Sequence, residues 1–168
     1  WFDKQPPLSF TEDLKKTLHD VMPKGYGTRK LKDGEISVDG LYIANEFPDD
    51  PDRLLETIYN DFDKFLKVYK IGGNKFPVYL KKEATECFEA HIIDIKSDSI
   101  TIIANDTEGI RRGIIYLEDE LRRREGAYLE IGEIKRTPKM RSRITRCFFS
   151  PINRPPKYGD ELSDDIDY

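Results

Sequence analysis

Two glycines four residues apart constrain the fold more than any other feature of this sequence. Gly109 and Gly113 lie inside a segment, about Thr107 to Arg124, whose apolar residues recur at helical spacing. A glycine inside a helix costs about 1 kcal/mol relative to alanine, so two of them need a structural reason. The simplest reason is that the first turns of this helix pack closely on a sheet. The sequence therefore predicts a helix that lies directly against β structure.

Several β-rich runs can form that sheet. Phe88 to Ile95 and Ile100 to Ala104 flank a polar turn of four residues, which indicates a hairpin, and Asp106 or Thr107 then caps the helix. Further strands are predicted at residues 76–80 and 127–134. Residues 35–47 are also β-rich around Asp39-Gly40, a pair typical of a hairpin or a bulge.

Two more helices are predicted upstream. Asp50-Pro51 combines a helix cap with proline at the first helical position, and an apolar face follows until Gly72-Gly73. A short helix near the N-terminus begins at the capping box Ser9 to Glu12 and ends before Pro23.

These elements define an α+β fold. We expect a mainly antiparallel (mixed) sheet with two substantial helices packed on one face, plus the short N-terminal helix. The other face needs polar side chains or another domain. Residues 1–149 form this α+β domain, whereas residues 150–168 are rich in Pro and Asp and are interpreted as a linker or the truncated start of a downstream domain.

Composition excludes several functional classes. The chain has 168 residues and a net charge of −4, which argues against nucleic acid as a partner. No run of about 18 apolar residues occurs, so no membrane span is expected. Cys87 and Cys147 have no neighbours at metal-ligand spacing, and their redox state stays open between thiols and one disulfide.

The sequence contains no recognisable catalytic signature. It lacks the common zinc, phosphate-loop and serine-nucleophile motifs, so no catalytic residue, metal site or cofactor is predicted. His91 falls in a strand and His19 on a helix, with no orienting partner in view. The acidic residues of the C-terminal segment lack an element that holds them at the spacing of a glycosidase pair: Asp160, Glu161, Asp164, Asp165 and Asp167.

Two local motifs have structural interpretations. Arg122, Arg123 and Arg124 lie in a last helical turn, where they complement the helix dipole and can pair with residues 118–120. Residues 105–107 match a glycosylation sequon but are better explained as a strand end followed by a helix cap.

The order of parts from Phe88 to Phe149 resembles a known domain. An Ile-rich hairpin ending at Ala104 leads into the Gly109–Gly113 helix, then a strand, then Pro138 and a short run to Arg143. This order is similar to the N-terminal, non-catalytic α+β domain of exo-acting glycoside hydrolases such as the β-N-acetylhexosaminidases and α-glucuronidases.

The resemblance implies a function for the whole protein. It implies an accessory domain that packs against and stabilises a downstream (β/α)₈ barrel of the same polypeptide. That barrel would carry the catalytic carboxylates and bind the glycan substrate. Arg143 would be the substrate-binding residue of this chain, since a guanidinium presents several fixed donors to sugar hydroxyls. The resemblance also implies export from the cytoplasm, to the periplasm or the medium, because many such polysaccharide-degrading enzymes are exported.

Two alternatives stay open from the sequence. One is a stand-alone carbohydrate- or protein-binding module, which exposed Tyr or Trp side chains in a row on one strand face would favour. The other is a small independent enzyme, which would require a cleft with perturbed titratable groups.

Overall fold

A computed structural model describes residues 22–140. The chain order is β1 Glu35–Ser37, β2 Leu41–Ile43, α1 Glu56–Val68, β3 Phe76–Lys82, β4 His91–Ile95, β5 Ile100–Ala104, α2 Thr107–Arg123, β6 Tyr128–Glu130 and β7 Gly132–Arg136. Five strands form a sheet in the order β2-β3-β5-β4-β7, and β1 pairs with β6 in a separate antiparallel ribbon. In the large sheet β3 is parallel to both β2 and β5, while β4 is antiparallel to β5 and β7. The predicted α+β class with a mixed sheet and two helices is confirmed.

The two glycines of α2 allow it to lie close to the β4–β5 hairpin. A Cβ built on Gly109 would be 2.7 Å from the Cβ of Ala104 and 2.8 Å from the carbonyl oxygen of Ala90. A Cβ on Gly113 would be 2.5 Å from the Cγ2 of Ile102. Asp106 begins the helix, because its Oδ1 accepts the Gly109 N–H at 2.8 Å. The predicted hairpin, helix cap and close packing are all present.

Helix α1 begins later than the sequence predicts. Asp50 and Pro51 lie in a turn, and Arg53 adopts φ +54°, a left-handed conformation that a continuous helix excludes. The Asp50 carboxylate nevertheless accepts the N–H groups of Leu54 at 2.8 Å and Leu55 at 2.9 Å, just before Glu56. The prediction of a helix start at Asp50-Pro51 is therefore wrong: the Asp50 carboxylate binds the turn that precedes the helix, and Leu55 is the N-cap residue.

Two strand predictions are also corrected. The chain does not form a hairpin at Asp39-Gly40; β1 and β2 belong to different sheets, and Gly40, at φ +89°, is where the chain passes from one to the other. The predicted single strand over residues 127–134 is divided into β6 and β7, because the backbone turns at Gly132 with φ +149°. Only glycine adopts that conformation readily.

Both helices cover one face of the large sheet. The alternate strand residues that face them are buried, such as Val78, Ile93 and Ile102. The opposite face carries half-buried or exposed side chains in two cross-strand rows, Tyr79-Thr101-Asp94-Glu133 and Lys81-Ile103-Ile92-Lys135. The predicted N-terminal helix and residues 141–168 lie outside the described residues.

Candidate binding cleft between α2 and β7

A cleft of about 260 Å³ opens at one edge of the helix layer. Its walls come from the outer side of α2, from the start of β4 and from the end of β7. The chain leaves β7 along this cleft through Thr137 and Pro138. The acidic and basic lining residues are Glu89, His91, Arg112, Asp119 and Arg136.

His91 forms the buried wall of the cleft. Its side chain starts β4 on the helix-facing side, and the residue is 7% exposed. Nδ1 lies 3.1 Å from the carbonyl oxygen of Glu89, and since a carbonyl only accepts, Nδ1 carries the hydrogen. Nε2 is buried and has no hydrogen-bond partner in the described part of the chain. Burial lowers the pKa of His91, and the positive charges of Arg136 and Arg112 lower it further, so folding favours the neutral ring.

Arg136 lies beside His91 on the same face of the sheet. The two residues are direct cross-strand partners in the β4–β7 ladder. The guanidinium carbon of Arg136 lies 4.9 Å from the centre of the Tyr116 ring on α2, a cation–π contact. Within residues 22–140 no carboxylate lies close enough to Arg136 for a salt bridge. The cation is therefore held by an aromatic ring rather than neutralised by an acid.

The remaining charges at the cleft compensate one another in part. Arg112 lies 3.1 Å from a Glu108 carboxylate oxygen and 3.9 Å from one of Glu89. Glu89 has φ +67°, which is unusual for a residue with a side chain, and Asp106 accepts its N–H at 3.3 Å. Asp119, on the outer side of α2, is 68% exposed in its side chain and lies 3.8 Å from Arg122. A strained backbone position and a buried histidine thus meet at one edge of the domain.

A second polar concavity lies at the other end of α2 but is neutralised internally. Glu35 accepts hydrogen bonds from Arg29 at 2.7 and 2.9 Å, from Arg124 at 2.7 Å and from the Lys32 N–H at 3.0 Å. These donors, led by the Arg29 guanidinium, lower the pKa of Glu35 from 4.5 to about 2. Arg124 also bonds Glu120 at 3.0 Å. Because Glu35 and Glu120 already have guanidinium partners, we interpret this cluster as a structural link between β1 and the end of α2.

The predicted site residues have different outcomes. Arg143, the proposed sugar ligand, lies outside the described residues, as do His19, Cys147 and the acidic residues of the C-terminal segment. Cys87 is an exposed free thiol. The predicted pairing of the Arg122–Arg124 run is confirmed: Arg122 with Glu118 and Asp119, Arg123 and Arg124 with Glu120.

The sequence prediction did not identify the cleft itself. The missed residues are Arg136 and Tyr116. A usable signal exists, because Ile134 is an inward-facing strand residue and strand alternation places Arg136 two residues later on the same face. The predicted strand ended at Ile134, so that signal was lost.

In the described part of the chain no three His, Cys, Asp or Glu side chains are grouped so that they could hold a metal ion. Neither helix of residues 22–140 has the length and apolar character needed to cross a membrane.

Comparison with solved structures gives a structural likeness, whereas the comparisons of sequence give none. The sequence matches no family model, and it matches no curated protein. Among solved structures, the chain is similar to the β-N-acetylhexosaminidase from Bacteroides fragilis NCTC 9343, with a TM-score of 0.42 and 18% identity. The alignment covers 72% of this chain and 25% of that chain, so this chain corresponds to about a quarter of the enzyme's length.

Proposed function

We propose that this chain is the N-terminal accessory domain of a glycoside hydrolase. In this role it packs against a catalytic barrel that follows in the same polypeptide and stabilises it. The observation that carries the proposal is the packing of the Gly109–Gly113 helix on the β4–β5 hairpin. That hairpin, the glycine-bearing helix, the following strands and Pro138 occur in the order that the sequence resemblance requires.

The course of the chain after β7 supports the same role. Thr137 and Pro138 run along the outer side of α2, next to the half-buried Ile115. Met140, the last described residue, is 62% exposed. The chain thus leaves β7 beside the outer side of α2, with apolar side chains at the point of exit. A following domain that packs against this surface would cover them.

The proposal assigns no hydrolytic role to this chain. Glycoside hydrolysis needs two carboxyl groups held about 5–9.5 Å apart around the scissile bond. In the families that the sequence resembles, these groups lie at the ends of barrel strands. Arg143 is proposed as the residue of this chain that donates hydrogen bonds to the bound sugar, and the protein is proposed to act outside the cytoplasm.

The test compares two polypeptides: this chain alone, and this chain continued into its downstream coding sequence. We expect chromogenic glycosides to be hydrolysed by the longer polypeptide only. In the longer polypeptide, Arg143→Lys should raise KM by about tenfold, because lysine keeps the charge but loses the planar fork of donors. Arg141→Lys is the matched control. Turnover by this chain alone, or equal KM values for the two variants, would contradict the proposal.

A second candidate function is supported by the open face of the sheet. Tyr79 is 46% exposed there, and the register places Tyr42 on the same face, because Tyr42 pairs with Pro77 two residues before Tyr79. Tyr42 and Tyr79 thus lie on neighbouring strands of one sheet face, and exposed aromatic side chains on such a face favour a carbohydrate-binding module. Binding to a glycan array that is lost in Tyr79→Ala but kept in Lys81→Ala would favour a binding module. The accessory-domain proposal predicts no such binding.

A further inference from the structure

Within residues 22–140, the Arg136 guanidinium is the arginine of the cleft that has no acidic partner. It is oriented by the Tyr116 ring at 4.9 Å and by its ladder position beside His91. By contrast, Arg112 is already paired with Glu108 at 3.1 Å. A guanidinium is planar by resonance, and its fixed fork of N–H donors suits two parallel hydrogen bonds to a carboxylate.

The other charges of the cleft limit which anion can bind. The lining contains two acids, Glu89 and Asp119, and two arginines, Arg112 and Arg136, so its formal net charge is zero. A doubly charged anion such as sulfate would be repelled by the two acids, whereas a single carboxylate beside Arg136 is tolerated. The exposed Asp119 carboxylate can accept hydrogen bonds from hydroxyl groups. The lining therefore combines a carboxylate receptor with acceptors for hydroxyls.

We propose that this cleft binds a small hydroxylated monocarboxylate, a sugar acid, through Arg136. The carboxylate of the ligand lies against the Arg136 guanidinium and its hydroxyls face Asp119. Thr137 and Pro138 line this cleft and also form the chain exit of the proposed accessory role, so the binding test uses the 168-residue chain without a downstream domain. Failure of that test would leave the accessory role standing, because that role depends on the helix–hairpin packing and on the downstream sequence.

His91 provides a direct readout of anion binding. The groups that face its ring are the Glu89 carbonyl, Asp106, Arg112 and Arg136, and the two arginines lower its pKa. A bound carboxylate would offset the Arg136 charge and raise the pKa of His91. The chain contains only two histidines, so His19 serves as an internal reference in the same spectrum.

The experiment is an NMR titration of the imidazole resonances of the full 168-residue chain, with galacturonate as the probe. At a fixed pH within the His91 titration range, galacturonate should move the His91 resonance saturably toward its protonated position and leave His19 unchanged. Galactose has the same ring without the carboxylate and should produce no shift. Acetate has the carboxylate without the hydroxyls and should bind at least about tenfold more weakly.

Two variants complete the test. Arg136→Gln should weaken galacturonate binding by at least about tenfold, whereas Lys135→Gln removes the same charge from the other face of the same strand and should bind normally. The proposal is overturned if galactose shifts the His91 resonance as much as galacturonate does, or if galacturonate produces no shift. It is also overturned if Arg136→Gln binds galacturonate as tightly as the unchanged chain. The galactose comparison needs no variant, so it decides the question even if Arg136→Gln fails to fold.

Discussion

The substitution Gly109→Ala tests the packing on which the fold depends. Alanine should stabilise the helix by about 1 kcal/mol through its better propensity. The new Cβ, however, would lie 2.7 Å from the Ala104 Cβ and 2.8 Å from the Ala90 carbonyl oxygen. Neither neighbour has a side-chain rotamer that could move away, so the whole first turn of α2 must shift. Overpacking of this kind costs about 1–3 kcal/mol and occasionally more, and rigid neighbours favour the upper part of that range.

We therefore expect Gly109→Ala to lower the free energy of unfolding by about 1–2 kcal/mol net of the propensity gain. The measurement is urea unfolding followed by far-ultraviolet circular dichroism, with the midpoint and slope compared at equal protein concentration. Gly72→Ala is the matched control. Gly72 has ordinary negative φ, and a Cβ there would lie 3.5 Å from the Leu66 Cβ, a normal contact. An unchanged or higher stability of Gly109→Ala would refute the close packing of α2 on the hairpin.

Three further predictions concern polar groups. Asp106→Ala should lower the free energy of unfolding by about 1 kcal/mol through loss of the helix cap, and Asp106→Asn should retain most of it in the same urea assay. The pKa of Glu35 falls from 4.5 to about 2 on folding, so the ionised carboxylate contributes fully to the free energy of unfolding above pH 4.5. That contribution disappears as the pH falls toward 2. Glu35→Gln should therefore make stability less dependent on pH between these two values. Burial lowers the pKa of His91 below its ordinary 6.5, so folding favours the neutral ring and stability should decline as the pH falls below 6.5. His91→Gln should remove this part of the dependence of stability on pH. An unchanged dependence in that variant would show that His91 does not cause it.

Local sequence patterns predicted correctly those elements that follow each other in the chain and pack together. The β4–β5 hairpin and α2 follow each other directly, and Asp106, Gly109 and Gly113 act within this unit. Their roles depend on short-range hydrogen bonds and on the packing of neighbouring segments. Residue type and spacing therefore contain most of the relevant information.

The features that sequence reasoning misassigned depend on distant segments. Asp39-Gly40 is typical of a hairpin, yet β1 pairs with β6 near the other end of the domain, and β2 pairs in parallel with β3. A one-dimensional pattern does not specify such partners. Asp50-Pro51 has the features of a helix start, but the left-handed Arg53 delays the helix to Glu56. Tertiary contacts override local propensity at both places.

The cleft required the same long-range information. His91, Tyr116 and Arg136 come from β4, α2 and β7, and only the β4–β7 ladder places His91 opposite Arg136. In the sequence each of the three is an ordinary strand or helix residue. Their common location defines the site. The antiparallel register that creates it pairs His91 with Arg136, which are far apart along the chain.

The coding sequence downstream of Tyr168 tests the central claim most directly. An accessory domain of a glycoside hydrolase predicts an uninterrupted continuation of about 250 residues or more, enough for a (β/α)₈ barrel, with acidic residues at the ends of predicted strands. A stop codon shortly after Tyr168 would contradict the claim and leave a free-standing domain, for which the open tyrosine-bearing sheet face would be the first surface to examine.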